Sequence, residues 1–81
     1  MPVSVHHPKY NALQSALATF RKDARLSQIQ LAERLGVGQS YISKIERAEA
    51  YVDIFVFVDW CCACGLEPGT ALDYLMDSIK T

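Results

Sequence analysis

The sequence predicts an all-α fold of five helices, because apolar residues recur at helical spacing along most of the chain and Gly or Pro separates several of these stretches. Its 81 residues have room for one hydrophobic core. The composition, 51% apolar and 21% charged, is typical of globular rather than disordered chains. We therefore expect a flexible N-terminal arm at residues 1–8 and a single domain at residues 9–81.

Three helices are expected in the first half. Helix one covers roughly residues 9–24. Helix two begins near Gln28, after a Ser27/Gln30 capping-box pattern, and ends at Gly36, which adopts a left-handed conformation at low cost. A third, short helix lies within residues 39–47, with Ile42 and Ile45 on one face.

Two further helices, at residues 53–64 and 68–80, are expected in the second half. The first is ambiguous, since alternating β-branched residues between Tyr51 and Trp60 also fit a strand. A helix is favoured because Asp53 and Gly65 fit its two ends and a lone strand would have no partner. Its predicted inward face contains Ile54, Phe57, Cys61 and Cys64. In the last helix, which Pro68 can begin, the apolar residues are Leu72, Leu75, Met76 and Ile79.

The charges are distributed unevenly. Residues 1–47 contain seven Lys and Arg against three Asp and Glu, a net charge of +4, whereas residues 48–81 contain one against six, a net charge of −5. A polyanion would attract the first half and repel the second. The apolar run Ile54 to Val58 is far shorter than the roughly 20 residues of a membrane span, and Met1 to Lys9 do not fit a signal peptide. We expect a cytoplasmic protein without membrane contact.

Helices two and three, joined by Gly36-Val37-Gly38, form a predicted helix-turn-helix motif at residues 27–47. From Leu26 to Glu46 the chain follows the pattern L-S-Q-x-x-L-A-x-x-L-G-V-x-Q-S-x-I-S-x-I-E. This pattern resembles the Xre, Cro and phage-repressor class of DNA-binding proteins, over about residues 17–75. The resemblance implies a lambda-repressor-like fold whose third helix enters the major groove of double-stranded DNA.

The resemblance also implies roles for individual residues. The base-contacting positions are Gln39, Ser40, Ser43 and Lys44, of which Gln suits adenine and Lys suits guanine. The positions for the DNA backbone are Gln28, Tyr41 and Arg47, and Arg25 could reach a phosphate as well. Arg21 and Glu46 match a pair that commonly forms an ion pair bracing the motif. The alternatives are two solvated surface charges, or an Arg21 that touches phosphate.

Three positions depart from the pattern of this class. Gly38 stands where Ser or Thr usually caps the third helix, Arg25 where Gly often ends the first, and Ala48 where Gly often follows the third. Gly38 removes a capping hydroxyl, at a cost of a few tenths of a kcal/mol. A left-handed Arg25 would carry strain of about 1 kcal/mol. The path of residues 48–52 is left open.

Phe55, Val56 and Cys62 are predicted to point outward from the fourth helix, so we expect them to form a homodimer interface; the alternative is that Phe55 packs within one chain. Trp60 fits the core or this interface. Cys61-x-x-Cys64 has metal-ligand spacing and His6-His7 could complete a site, but Cys in an apolar helix favours core packing. A redox role for Cys62 is disfavoured because no basic neighbour is evident. No cofactor or metal is expected.

The predicted function is that of a sequence-specific transcriptional regulator, a repressor that binds a palindromic operator as a homodimer. It is not expected to be an enzyme, since no catalytic triad pattern, Gly-rich phosphate loop or convincing metal cluster is present. One alternative is a protein-binding module, such as an antitoxin that neutralises a toxin through the helix at residues 53–64. Another is a helical adaptor that no longer binds DNA.

Overall fold

The computed structural model describes residues 7–80 and forms five α-helices there, with no strand in that range, as predicted. The helices are α1 (Pro8–Asp23), α2 (Gln28–Leu35), α3 (Gln39–Glu46), α4 (Ile54–Ala63) and α5 (Pro68–Lys80). His7 caps α1 by accepting from the Lys9 amide, so the last two residues of the expected arm are tied to this helix. The rest of the arm, including His6, lies outside the described residues.

The N-terminal caps agree with the sequence. Ser27 Oγ accepts from the Gln30 amide at 3.0 Å and the Gln30 side chain accepts from the Ser27 amide at 2.8 Å, which completes the capping box of α2. Asp53 accepts from the Val56 amide at 2.9 Å and starts α4. Gly38, which precedes α3, supplies no side-chain hydrogen bond. The short helix α3 therefore depends on its packing for stability.

Four helices end in the same turn, in which one residue takes a positive φ angle and the next amide bonds back across the last turn. Gly36 and Gly65 take this position after α2 and α4, as predicted, because glycine has no Cβ atom and adopts a positive φ angle at low cost. Arg25 and Ala48, with φ angles of 61° and 58°, take it after α1 and α3. Each of these two non-glycine residues costs about 1 kcal/mol.

The core lies between all five helices. Trp60 is fully buried at its centre, and its indole Nε1 donates to the Leu17 carbonyl oxygen at 3.0 Å, so no polar group of this side chain is left unsatisfied. Helix α3 packs on α2 and α1, whereas α5 packs on α1 and α4. The other fully buried large side chains are Leu17, Leu31, Ile42, Ile45 and Cys61.

The predicted faces of α4 need correction at two residues. Ile54, predicted inward, is 61% exposed, because it begins the helix and helical side chains lean toward the N-terminus, here beyond the edge of the core. Val56, predicted outward, is half-buried and packs against the core. Around the helix, the inward face of α4 is centred nearer to Trp60 than the sequence prediction placed it. Val56 lies one turn before Trp60 and therefore falls on this face.

Helix α5 also turns a narrower face inward than its apolar pattern suggests. Ala71 and Leu75 are buried and Ile79 packs partly against the core, whereas Leu72 and Met76 are exposed. Within residues 7–80, no single helix is both long and apolar enough to cross a bilayer, and only α4 and α5 taken together, across a bend of 110°, reach such a length and composition.

Candidate nucleic-acid interface

One face of α3 is polar and open to solvent. The side chains of Gln39, Ser40 and Lys44 are exposed there, with Ser43 half-buried among them. At 100° per residue these four positions fall within one side of the helix, and Arg47 at its end continues the same side. The structure thus brings all four predicted base-contacting residues together on one surface.

The opposite face fixes this helix to the domain. Ile42 and Ile45 are fully buried against the core, where α3 meets α2 and α1. Burial of two such side chains contributes several kcal/mol, since each Ile is worth roughly 1.5–3 kcal/mol. The polar face is therefore presented by a short helix that its neighbours hold in place.

Arg21 and Glu46 form the pair that the resemblance implied. Arg21 donates through Nε and Nη2 to the two carboxylate oxygens of Glu46 at 2.6 and 2.9 Å, and through Nη1 to the Leu26 carbonyl oxygen at 2.8 Å. Their side chains are only 11% and 9% exposed. Because Arg21 uses these donors inside the protein, this geometry favours the bracing role over contact with phosphate.

Glu46 stays ionised in this setting. Burial raises its pKa, but hydrogen bonds from Arg21 and Gln28 together with the Arg21 charge outweigh burial, so the pKa of Glu46 lies below its usual range. The hydrogen bond with Glu46 raises the pKa of Arg21. Gln14 also donates to the Glu46 backbone carbonyl. Helices α1 and α3 are therefore joined by a charged pair and a backbone contact.

Gln28 links this ion pair to the polar face. Its Nε2 donates to Glu46 Oε1 at 3.0 Å, and its Oε1 accepts from Nε2 of Gln39 at 3.2 Å. The donor to Glu46 fixes which way the Gln28 amide faces, and Gln28 in turn orients the Gln39 amide. The sequence predicted Gln28 only as a contact to the DNA backbone. Its contact with Gln39 is seen only in the structure.

Arg47 is engaged by residues of its own chain. It donates through Nε and Nη2 to the Glu49 carboxylate, each at 3.1 Å, and through Nη1 to Ser43 Oγ at 2.7 Å. Both side chains of the Arg47–Glu49 pair are about half exposed. Sequence analysis missed Glu49, because a residue two positions past Arg47 returns to it only through the left-handed Ala48.

The remaining predicted backbone contacts lie around this surface. Arg25 is exposed on the turn between α1 and α2, and Gln28 is the first residue of α2, where backbone amides lack intrahelical partners. Tyr41 lies on the flank of α3, half-buried against the core, rather than on its polar face. That position beside the polar face agrees with a contact to the DNA backbone, which stays a prediction for all three residues.

The predicted dimer residues are divided between surface and core. Phe55 is 76% exposed and Cys62 is exposed, seven residues apart and so on one side of α4, whereas Val56 packs against the core. Ile54 and Tyr51 add exposed apolar area near Phe55 in the chain. Exposed large apolar side chains of this kind are candidates for a protein contact.

Two of the three cysteines pack within or against the core, and the third, Cys62, is exposed. Cys61 is buried and Cys64 half-buried, and burial raises the pKa of the Cys61 thiol to about 11 and raises that of Cys64 as well. A protonated thiol is a poor metal ligand and nucleophile. Within residues 7–80, no three His, Cys, Asp or Glu residues are grouped to hold a metal ion.

Proteins of known structure share the fold of this chain. The helix-turn-helix family model HTH_3 matches residues 17–70. An XRE-family like protein from Pseudomonas syringae pv. tomato str. DC3000 has a TM-score of 0.83 at 38% identity, over 91% of this chain and 90% of its own. Two structures of the clp gene regulator ClgR from Corynebacterium glutamicum are 28% identical, with TM-scores of 0.77 and 0.76; they cover 98% and 96% of this chain and 79% and 95% of their own. No curated protein matches the chain in a sequence search.

Proposed function

Because the chain belongs to the XRE-type helix-turn-helix family of DNA-binding transcriptional regulators, we propose that it is a repressor that binds a palindromic operator as a homodimer. It acts in the cytoplasm, where the DNA of its target genes lies. The observation that carries this proposal is the polar face of α3, held outward by two fully buried isoleucines on the other side. Occupation of an operator that overlaps a promoter excludes RNA polymerase, which makes repression the simplest outcome.

Base recognition belongs to the polar face of α3 in this proposal. Gln39, already oriented by Gln28, pairs its amide with N6 and N7 of adenine, and Lys44 reaches O6 and N7 of guanine. Ser40 and Ser43 add shorter contacts to neighbouring base edges. Each good bidentate contact gives roughly 1–3 kcal/mol of discrimination against the wrong base.

Backbone contacts set the register of the helix on the duplex. Gln28 and the free amides at the start of α2 meet one phosphate, assisted by the positive end of the helix dipole. Arg25 and Arg47 reach phosphates on either side, and the Tyr41 hydroxyl reaches the backbone from the flank. Arg47 uses three of its five donors on Glu49 and Ser43, which leaves two for phosphate.

The homodimer forms through the exposed side of α4, around Phe55 and Cys62. Symmetric contact between two copies would cover the apolar surface and place two α3 helices on successive turns of one DNA face. A palindromic operator follows, since a twofold dimer presents the same polar face to both half-sites.

The proposal is tested by a binding titration of the full chain against its own upstream DNA and a shuffled duplex, at several salt concentrations. If Arg25 and Arg47 each neutralise one phosphate per protomer, log K falls with log[salt] with a slope of about −3.6 for a dimer. We expect the upstream DNA to bind at least tenfold more tightly than the shuffled duplex. Equal affinity for both, or a flat salt response, contradicts the proposal.

A second candidate, a protein-binding module such as an antitoxin, is favoured by the exposure of Ile54 and Phe55 on α4. In that case the apolar surface contacts a different protein, such as a toxin, in place of a second copy. Sedimentation velocity separates the two: a dimer at micromolar concentration supports the homodimer, and a monomer that dimerises only weakly on DNA favours a heterologous partner.

A further inference from the structure

An acidic residue outside α3 is linked to one of the proposed base-contacting residues. The Glu49 carboxylate binds Nε and Nη2 of Arg47, and Nη1 of the same guanidinium donates to Ser43 Oγ at 2.7 Å. Ser43 and Arg47 are four residues apart, so they are neighbours on one helix face. Glu49 therefore holds the guanidinium that touches the Ser43 hydroxyl.

The backbone fixes the position of Glu49. After α3 the chain reverses at Ala48, which is buried and has a φ angle of 58°. The Ala48 amide donates to the Ile45 carbonyl at 3.1 Å and the Glu49 amide to the Lys44 carbonyl at 2.8 Å. This turn directs Glu49 back toward the end of α3, so the contact with Arg47 follows from the fold of the loop.

The contact changes what Ser43 can recognise. A serine hydroxyl can donate or accept, and alone it distinguishes bases poorly. Ser43 Oγ already accepts a hydrogen bond from a cation, which polarises its O–H group and makes it a better donor. The Arg47 charge also opposes the approach of an amino group. Within residues 7–80 the Ser43 hydroxyl has no acceptor of its own, so its hydrogen is available to a ligand.

We propose that Glu49, acting through Arg47, makes Ser43 a hydrogen-bond donor in the major groove. The base edge that faces Ser43 must then present an acceptor, N7 or O6 of guanine, N7 of adenine or O4 of thymine, in preference to the N4 amino group of cytosine. Glu49 is a positioning residue for sequence specificity. This inference rests on the proposed function of α3.

The proposal gives Glu49 two effects of opposite sign. Its carboxylate lies beside a DNA-facing surface, so Glu49→Gln removes a charge that repels phosphate and raises the affinity for DNA of any sequence. The same change loosens Arg47 and returns Ser43 to a hydroxyl that donates or accepts. Discrimination at one base pair per half-site therefore falls while overall affinity rises.

The test measures affinity for a selected operator and for its single-base-pair variants, with the full chain. For the wild type we expect roughly three- to tenfold discrimination against cytosine at the base pair that Ser43→Ala stops distinguishing. Glu49→Gln should lose this discrimination and bind random DNA more tightly. In the double variant with Ser43→Ala it should again raise the overall affinity but cause no further loss of discrimination. Arg47→Lys should lose it as well, because one ammonium group cannot reproduce the guanidinium fork.

A matched control is Asp77→Asn, an equal charge change at an exposed residue of α5, which packs on α1 and α4. It should leave the discrimination intact. The proposal is overturned if Glu49→Gln changes the affinity for all sequences by one common factor and keeps the discrimination. In that case Glu49 would act by charge alone. A wild type without any sequence preference is a different result, which overturns the proposed function and the role of Glu49 with it.

Discussion

Glu46 joins α3 to α1 through the Arg21 side chain, in a nearly buried pair that also satisfies the Leu26 carbonyl. Replacing one member of such a pair is costly because the other charge remains desolvated. We expect Glu46→Gln to lower the free energy of unfolding at pH 7 by about 2 kcal/mol, since Arg21 loses its counter-charge while the shape of the site is kept. Urea unfolding measures this difference.

The pH dependence follows from the lowered pKa of Glu46. A carboxyl group whose pKa is lowered by folding contributes its full stability above the unfolded-state pKa, and this contribution is lost as pH falls through the lower folded-state value. The gap between wild type and Glu46→Gln should therefore be constant near neutrality and shrink below about pH 4.3. Glu67, whose pKa is lowered by the amides of α5, is the same in both proteins and cancels. A gap that stays constant down to pH 3 contradicts this account.

At the scale of single residues, the sequence predicted which side chains of a regular helix face the solvent and which face the core. The exposure of Gln39 and Lys44 follows from the periodicity of α3, with Ile42 and Ile45 on the other side. The contacts of Gln28 with Glu46 and Gln39, by contrast, depend on how closely two helices approach each other. The periodicity of a single helix gives no information about the distance between two helices.

Helix ends show what chain patterns can and cannot predict. The capping box at Ser27 and the terminal Gly36 were predicted because each residue type has a specific backbone preference. Ala48 carries no such signal, so its left-handed turn, and with it the return of Glu49 to Arg47, emerged only from the structure. In α4 the prediction placed the inward face too far from Trp60, which misassigned Ile54 and Val56.

Arg25 allows a prediction for the turn between α1 and α2. Its φ angle of 61° is strained for a residue with a side chain, so Arg25→Gly should raise the free energy of unfolding by about 0.5–1 kcal/mol, the strain relieved less the added entropy of the unfolded chain. The same change removes a proposed phosphate contact and should weaken binding to all DNA sequences. Thermal unfolding and DNA titration of one variant measure both effects. A variant that is less stable than the wild type would show that the Arg25 side chain makes a stabilising contact.

At the scale of the whole molecule, the exposed apolar side of α4 around Phe55 leads us to predict a homodimer. Phe55 is 76% exposed, so Phe55→Lys should leave the fold of each protomer intact while it destroys the proposed interface. We expect a monomer by sedimentation velocity and at least tenfold weaker binding to a two-half-site operator, with binding to one half-site little changed. Leu72→Lys, on the exposed side of α5, is the matched control and should remain dimeric. A wild type that is monomeric yet binds the full operator tightly is incompatible with this interface.

The charge distribution belongs to the same scale. The described acidic residues of α5, Asp73 and Asp77, are exposed on a helix that packs against α1 and α4, whereas α3 packs on α1 and α2. The acidic residues of α5 therefore lie on a different helix from the polar face of α3, whereas Glu49 of the same acidic half lies beside α3. Such a separation favours approach to DNA with α3 leading, although the net charge of the chain is only −1.

The most direct test of the account is selection of bound sites from random double-stranded DNA by the wild type, Lys44→Ala and Arg25→Gly. We predict that the wild type selects a short palindrome, that Lys44→Ala loses the preference at one base pair in each half-site, and that Arg25→Gly selects the same palindrome with lower affinity. A uniform loss of affinity over all sequences for Lys44→Ala, with the selected palindrome unchanged, would contradict the placement of the polar face of α3 in the major groove.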